Sequence, residues 1–374
     1  MDFKEFKDSF IDQAGKALKE AGYGAVEFTT QATEKVNEAY ESLVVKPHNG
    51  RIGVNFNIEQ AYRDVENGVA TVKDVVTKGI DAIKRGLDHT PNEMIIKEIG
   101  DYESARNRLT MEVVAKAGNE DMLSKVPHKD MEDMAVIYRL DMSDAVGEGA
   151  SIVVTNSMLD CYGITAEQLH NDALESAPQI RPAKLQGMGE VLAQQMGVDD
   201  LEMLGINIPP EDEKMFVASV EGNVHGASVI AYQDFMDKVA ERMGGDFFIL
   251  PSSLHELIIV PDTGEFNVDN LKDMVKEVNA TQVAPEDKLT DSVYHYDSKD
   301  KVFELGEKFV QRQAEKDEAA KDTVSKDNAP AKEAAAKKPK EKKSVIGALK
   351  AAKEDIAKQP KKVAEKKPQS HNER

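Results

Sequence analysis

Apolar residues recur every three or four positions from Asp2 to Ala21. Phe3, Phe6, Phe10, Ala14 and Leu18 share one helical face, and Gly22 and Gly24 end the run. The period then shortens to two. Ala25–Thr30, Ser42–Val45 and Ile52–Asn57 read as strands, the last with Ile52, Val54 and Phe56 alternating. Pro47, Asn49 and Gly50 supply a turn between the second and third. Helical spacing returns in Ile58–Glu66 and Thr71–Leu87, where Val72, Val75, Val76, Ile80 and Ile83 form one stripe. An antiparallel sheet backed by helices is the economical arrangement for residues 1–88.

Further along, Met134–Asp141 and Ala150–Thr155 read as a strand pair, with Asn156 capping the short helix that follows. Thr165 and Gln168 form a capping box that opens a helix over Ala166–Ser176. Glu190–Met196 reads as helix, Met215–Ser219 and His225–Ala231 as strands, and Asp234–Met243 as a helix ended by Gly244-Gly245. Two apolar runs, Phe247–Leu250 and Leu257–Val260, flank the turn Pro251-Ser252-Ser253. Val268–Val278 gives the last helix and Tyr294–Tyr296 a final short strand. Strands arriving in adjacent pairs with helices between them predict an α+β fold of mixed, mainly antiparallel sheets packed with helices. A doubly wound parallel sheet would alternate strand and helix instead.

Composition adds the boundaries. The 374 residues are 40% hydrophobic, with 12 Phe and 9 Tyr, enough for a sizeable core. A single cysteine, Cys161, rules out an intramolecular disulfide framework and a Cys-only zinc site. The N-terminal MDFKEFKDSF lacks the features of a secretory signal, and no run approaches the ~20 apolar residues that span a bilayer. A cytoplasmic protein is the expectation. The net charge of −20 is unevenly spread. Residues 313–374 hold 17 Lys and Arg against 11 Asp and Glu, which leaves about −26 on residues 1–312. That stretch after Arg312 has no aromatic residue and four prolines, so it is expected to be a disordered basic tail, with one amphipathic island at Ser344–Gln359. The expected organisation is an N-terminal subdomain at 1–88, a main domain at 89–312 and the tail at 313–374.

Candidate chemistry centres on the strand pair. His255-Glu256-Leu257-Ile258-Ile259 begins like H-E-x-x-H, but position 259 is Ile, and Pro261 with the β-branched residues argues against a helix. On a strand His255 and Glu256 would face opposite ways, so a hydrogen-bonded histidine at the sheet end competes with a catalytic one. Ser252 and Ser253 read as turn caps. Cys161, beside Leu159 and Tyr162, reads as a small buried hydrophobe. His128 is followed by Asp130, Glu132 and Asp133 without a second histidine at ligand spacing; those carboxylates read as charges at a helix N-terminus. Gly147-Glu148-Gly149 and Gly187-Met188-Gly189 lack a third glycine, no P-loop occurs, and Asp199-Asp200 lacks the alternation of a calcium loop. Neither a metal nor a cofactor is expected.

The segments VPHKDMEDMAVIYRL (126–140), VTNSMLDCYGIT (154–165), RPAKLQGMGEVL (181–192), GASVIAY (226–232), 244–262, VNATQV (278–283) and LTDSVYHYD (289–297) follow in one order. This arrangement resembles a domain-of-unknown-function family of intracellular proteins from anaerobic gut bacteria, often encoded near mobile elements. The resemblance covers residues 90–297 well and 1–88 more loosely. It implies an intracellular bacterial α+β protein with no activity to carry over. It also implies recurring positions at Asn156, Pro251, Ser253, His255, Glu256, Asn279 and Tyr294.

The leading expectation is a non-enzymatic protein that binds another macromolecule, with a protein partner and no membrane span. The competing class is a hydrolase or metal-dependent enzyme whose His255, Glu256, His128 and Asn279 converge in space. A third is nucleic-acid contact confined to the Lys-rich tail, which would weaken steeply with salt.

Overall fold

The computed structural model describes residues 1–48, 52–89, 93–147, 149–197, 213–251 and 253–324. Residues 1–317 form one compact unit. The fold is α+β, and among the described residues every strand pairing is antiparallel.

The first elements are α1 (Phe3–Glu20), β1 (Val26–Lys35), β2 (Glu38–Pro47), β3 (Val54–Asn57), α2 (Ile58–Glu66) and α3 (Val72–Asp88). Asp2 caps α1 by accepting from the Glu5 N–H, and Glu5 reaches back to the Asp2 N–H. The helix buries Phe6, Phe10, Ala14 and Leu18, the stripe visible in the sequence. Phe10 stacks on Phe56 of β3 with ring centroids 4.9 Å apart. A Cβ on Gly79 of α3 would sit 2.8 Å from both rings, so a glycine is what lets α3 approach this stack. The β1–β2 hairpin pairs over its full length and turns at Val36-Asn37, with Asn37 in the left-handed region at φ 59°.

A second sheet has the order β4-β6-β5, with β7 on β6. The connection from α3 runs through α4 (Glu93–Gly100) and α5 (Tyr102–Ala105) to β4 (Leu109–Ala115). Then come α6 (Glu120–Leu123), β5 (His128–Met131), β6 (Met134–Asp141), β7 (Ser151–Val153), α7 (Asn156–Tyr162) and α8 (Ala166–Ile180). β4 is buried at every position, so it shows no alternation, and Thr110 and Glu112 interrupt the apolar run that would otherwise mark it as a strand.

The third sheet has six strands in the order β13-β12-β10-β11-β9-β8. It is built from β8 (Ala183–Gly187), β9 (Phe216–Val220), β10 (Phe247–Pro251), β11 (Leu257–Pro261), β12 (Tyr294–Asp297) and β13 (Val302–Leu305). The helices of this part are α9 (Met188–Met196), α10 (Gln233–Met243), α11 (Val268–Thr281) and α12 (Gly306–Val324). One core joins β4 and β6 with β9, β10 and β11 through Met111, Val136, Ala218, Phe247 and Ile259. Burying a side chain such as Phe247 stabilises by about 1.5–3 kcal/mol.

Several sequence expectations are corrected. His225–Ala231 is not a strand: residues 226–231 form a 3-10 segment entered through a left-handed His225. Thr155, not Asn156, caps α7; Asn156 instead donates to the Ser124 carbonyl. Asp130, Glu132 and Asp133 lie in the β5–β6 hairpin and not at a helix N-terminus. α8 continues through Pro178 to Ile180 instead of ending at Ser176. Cys161 is exposed. The chain beyond Tyr296 adds β13 and α12, anchored by Arg312 on Glu304 (2.5 Å) and Asp297 (3.0 Å). Ser252, Asp199-Asp200, the tail from 325 and its 344–359 island lie outside the described residues.

Candidate functional site

His255 and Glu256 lie in the turn between β10 and β11, before the strand begins, not on the strand itself. The segment is knitted into strand β9 and two other loops. The His255 carbonyl accepts from Ser219 Oγ at 2.7 Å and its N–H donates to Ser253 Oγ at 3.0 Å. Leu254 donates to the Asp287 carbonyl and accepts from the Ala227 N–H. The imidazole repeats this pattern. Nδ1 accepts from the backbone N–H of His225 at 3.2 Å, and Nε2 lies 3.2 Å from Asp287 Oδ1. A backbone N–H can only donate, so Nδ1 is the bare nitrogen and Nε2 carries the hydrogen directed at Asp287.

The loop before β11 therefore depends on how residues 221–227 are held. Gly222, Asn223 and His225 all have positive φ, and for the two non-glycine residues this costs about 1–2 kcal/mol each. Gly226 has no room for a side chain as the loop stands: an added Cβ would lie 2.1 Å from Ser219 Oγ and 2.2 Å from the His255 carbonyl oxygen.

Beneath this loop sits a buried ionic network. Glu112 of β4, 2% exposed, accepts from Arg139 of β6 at 2.7 Å across the sheet diagonal. Arg139 also donates to Ser151 Oγ of β7. Glu112 Oε1 lies 3.4 Å from His225 Nε2. Alongside, Arg181 donates to Asp141 at 2.7 Å and to the Val224 carbonyl at 3.0 Å. Burial raises the Glu112 pKa, with Arg139 drawing it the other way. Burial, reinforced by the charges of Arg139 and Arg181, lowers His225 to about 3, so its ring is neutral. Burial works to raise Asp141, but the hydrogen bonds from Arg181 and Ser143 prevail and hold it low. His225 Nδ1 is buried without a hydrogen-bond partner among the described residues. Its ring stacks on His255 with centroids 6.0 Å apart.

The other sequence candidates hold the fold elsewhere. Asn279 of α11 is buried and donates to the Thr290 carbonyl (2.7 Å) and Asp291 (3.0 Å). It thus fixes the far side of the same 285–291 segment that Asp287 supplies to His255, without meeting His255 itself through those bonds. His128 lies on exposed β5, its Nδ1 3.1 Å from the Val126 carbonyl. Tyr294 donates to Asp133 at 2.5 Å, pinning the β5–β6 turn to β12, and burial followed by that carboxylate raises its pKa. Asn37, at the β1–β2 turn, also holds the 285–291 segment by donating to the Glu286 and Lys288 carbonyls. Its backbone and side chain exchange hydrogen bonds with Asn119.

Glu256 borders a depression of about 240 Å3. Lys184 and Gln186 of β8, Val191, Gln194 and Gln195 of α9, Val217 of β9 and Asn223 complete its lining. Among the described residues, no group of three or more His, Cys, Asp or Glu is placed to hold a metal ion, and no helix is long and apolar enough to cross a membrane.

Sequence reading missed Glu112, Arg139, Asp141, Arg181, His225 and Asp287. One signal was present: a single acid in the otherwise apolar LTMEVVA and a single base in MAVIYRLD.

The chain belongs to a family of unknown function (DUF5688), whose family model matches residues 3–298. Neither the curated proteins nor the solved structures give a match.

Proposed function

We propose that this family member is a cytoplasmic, non-enzymatic protein that binds another macromolecule, in an accessory role of the kind the mobile-element resemblance implies. The observation that supports this reading is the engagement of both His255 nitrogens. A general base needs a nitrogen within reach of a substrate proton. In His255 one nitrogen receives the His225 N–H and the other faces Asp287, so the ring clamps loops. Clamped loops on a rigid sheet are the usual material of a recognition face. A pull-down from the producing cells with the full chain and its His255→Ala variant tests the reading. A specific protein retained by the wild type and lost by a folded variant supports it; identical retention removes the clamp from the binding face.

A second reading, a hydrolase or metal-dependent enzyme working through His255 and Glu256, is favoured by the unpartnered His225 Nδ1 in a strained loop above Glu112. Chromogenic ester, phosphate and peptide substrates turned over by the wild type but not by His225→Gln would establish it. Nucleic-acid contact through the Lys-rich tail is a third reading. Its signature is affinity that falls steeply between low and moderate salt.

A further inference from the structure

We propose that the depression between α9 and the β8–β9 side of the six-stranded sheet is a docking groove for an extended, cationic segment of a protein partner. This rests on the binding reading above and names the partner's chemistry. The lining is apolar at Val191 and Val217, acidic at Glu256, and otherwise mostly carboxamide: Gln186, Gln194, Gln195 and Asn223. A carboxamide donates and accepts at once, which matches the alternating N–H and C=O of an extended backbone. Gln186 and Gln194 each donate to Glu190 Oε1, at 2.8 and 3.2 Å, so one carboxylate beside the groove orients two of the amides. Glu213, which accepts from the Gly189 N–H at 3.1 Å, sets a second carboxylate at the N-terminus of α9. Among the described residues Lys184 is the one cation in the lining.

The wider charge agrees. Residues 151–300 carry nine Lys and Arg against 27 Asp and Glu, so a cationic segment is attracted to this part of the chain and an anionic one repelled. Asn223 enters the lining from the strained loop whose neighbour His225 is held by His255. The clamp therefore sets one wall of the groove.

The test uses the full chain and a fluorescent eight-residue peptide of alternating Lys and Ala, with a Glu–Ala peptide of equal length as control. Anisotropy should show saturable binding of the Lys–Ala peptide about tenfold tighter than the control. Gln195→Lys, in the groove, should weaken it about fivefold or more, whereas Gln13→Lys, the same charge change on α1, should leave it unaltered. Equal weakening by both variants means attraction to net charge alone and overturns the groove, as does the absence of any preference. Sedimentation showing a dimer that Gln195→Lys dissociates assigns the groove to a second copy and overturns the proposed occupant. If His255→Ala loses its partner while Gln195→Lys leaves peptide binding intact, the groove falls and the binding reading stands.

Discussion

The backbone N–H of His225 donates to Nδ1 of His255 at 3.2 Å, and the two rings stack with centroids 6.0 Å apart. One histidine is nearly buried above Glu112; the other is 37% exposed and faces Asp287. Through this pair a buried ionic network on the β4–β6 sheet is tied to loops of the six-stranded sheet.

Breaking the network from one side leaves a buried charge alone. Arg139→Ala removes the 2.7 Å partner of Glu112 and is expected to cost about 3–5 kcal/mol by urea unfolding. Adding Glu112→Gln to Arg139→Ala should recover part of that loss, since the uncompensated carboxylate disappears. Strict additivity of the two changes would contradict the pairing.

Acid should weaken the fold through His225. Its pKa falls from 6.5 to about 3 on folding, so the neutral ring is the form the native state prefers. Protons then bind the unfolded chain more readily, and the stability conferred is complete above pH 6.5 and is lost as pH falls toward 3. Between pH 7 and pH 5 the loss from this one group is about 2 kcal/mol. His225→Gln should flatten the dependence by that amount when urea unfolding is measured at both pH values. His170 and His295, also lowered by burial, act in the same direction and will leave a residual slope.

Gly226→Ala drives a methyl group into Ser219 Oγ and the His255 carbonyl. The Ser219–His255 hydrogen bond must break or the loop must shift, with an expected loss of about 2 kcal/mol or more in thermal or urea unfolding. Gly222→Ala, at φ 78° but with open space around its Cβ, should cost only the backbone strain of about 1–2 kcal/mol.

Asn37→Gly keeps the left-handed turn of the β1–β2 hairpin while deleting the bonds from its side chain to Asn119, Glu286 and Lys288. Amide exchange should quicken at residues 285–291 and leave β10 and β11 protected. Unchanged exchange at 285–291 would show that Asn37 contributes nothing to that segment.

The sequence carried the scaffold further than the site, for identifiable reasons. α1 and α3 announce themselves through a period of 3.6 because each buries one face, and β6, β10 and β11 through short, nearly unbroken apolar runs bounded by turn residues. β4 is as buried as β10, but Thr110 and Glu112 break its apolar run and hide it, and β1 runs on through the polar Thr29–Lys35 because its pairing with β2, not its composition, makes it a strand. His255 was legible as a histidine beside a strand. Its partners were not, since His225 lies thirty residues upstream in a segment whose apolar run reads as a strand, and Asp287 sits among the ordinary acids of APEDK. Long-range pairing of this kind leaves no local pattern.

Amide exchange on the His255→Ala variant tests the clamp most directly. Loss of that ring should raise exchange together at residues 221–231 and at 285–291, with the strands β9, β10 and β11 still protected. Exchange at both loops indistinguishable from the wild type would show that His255 holds neither, and the reading of it as the clasp of a recognition face would be wrong.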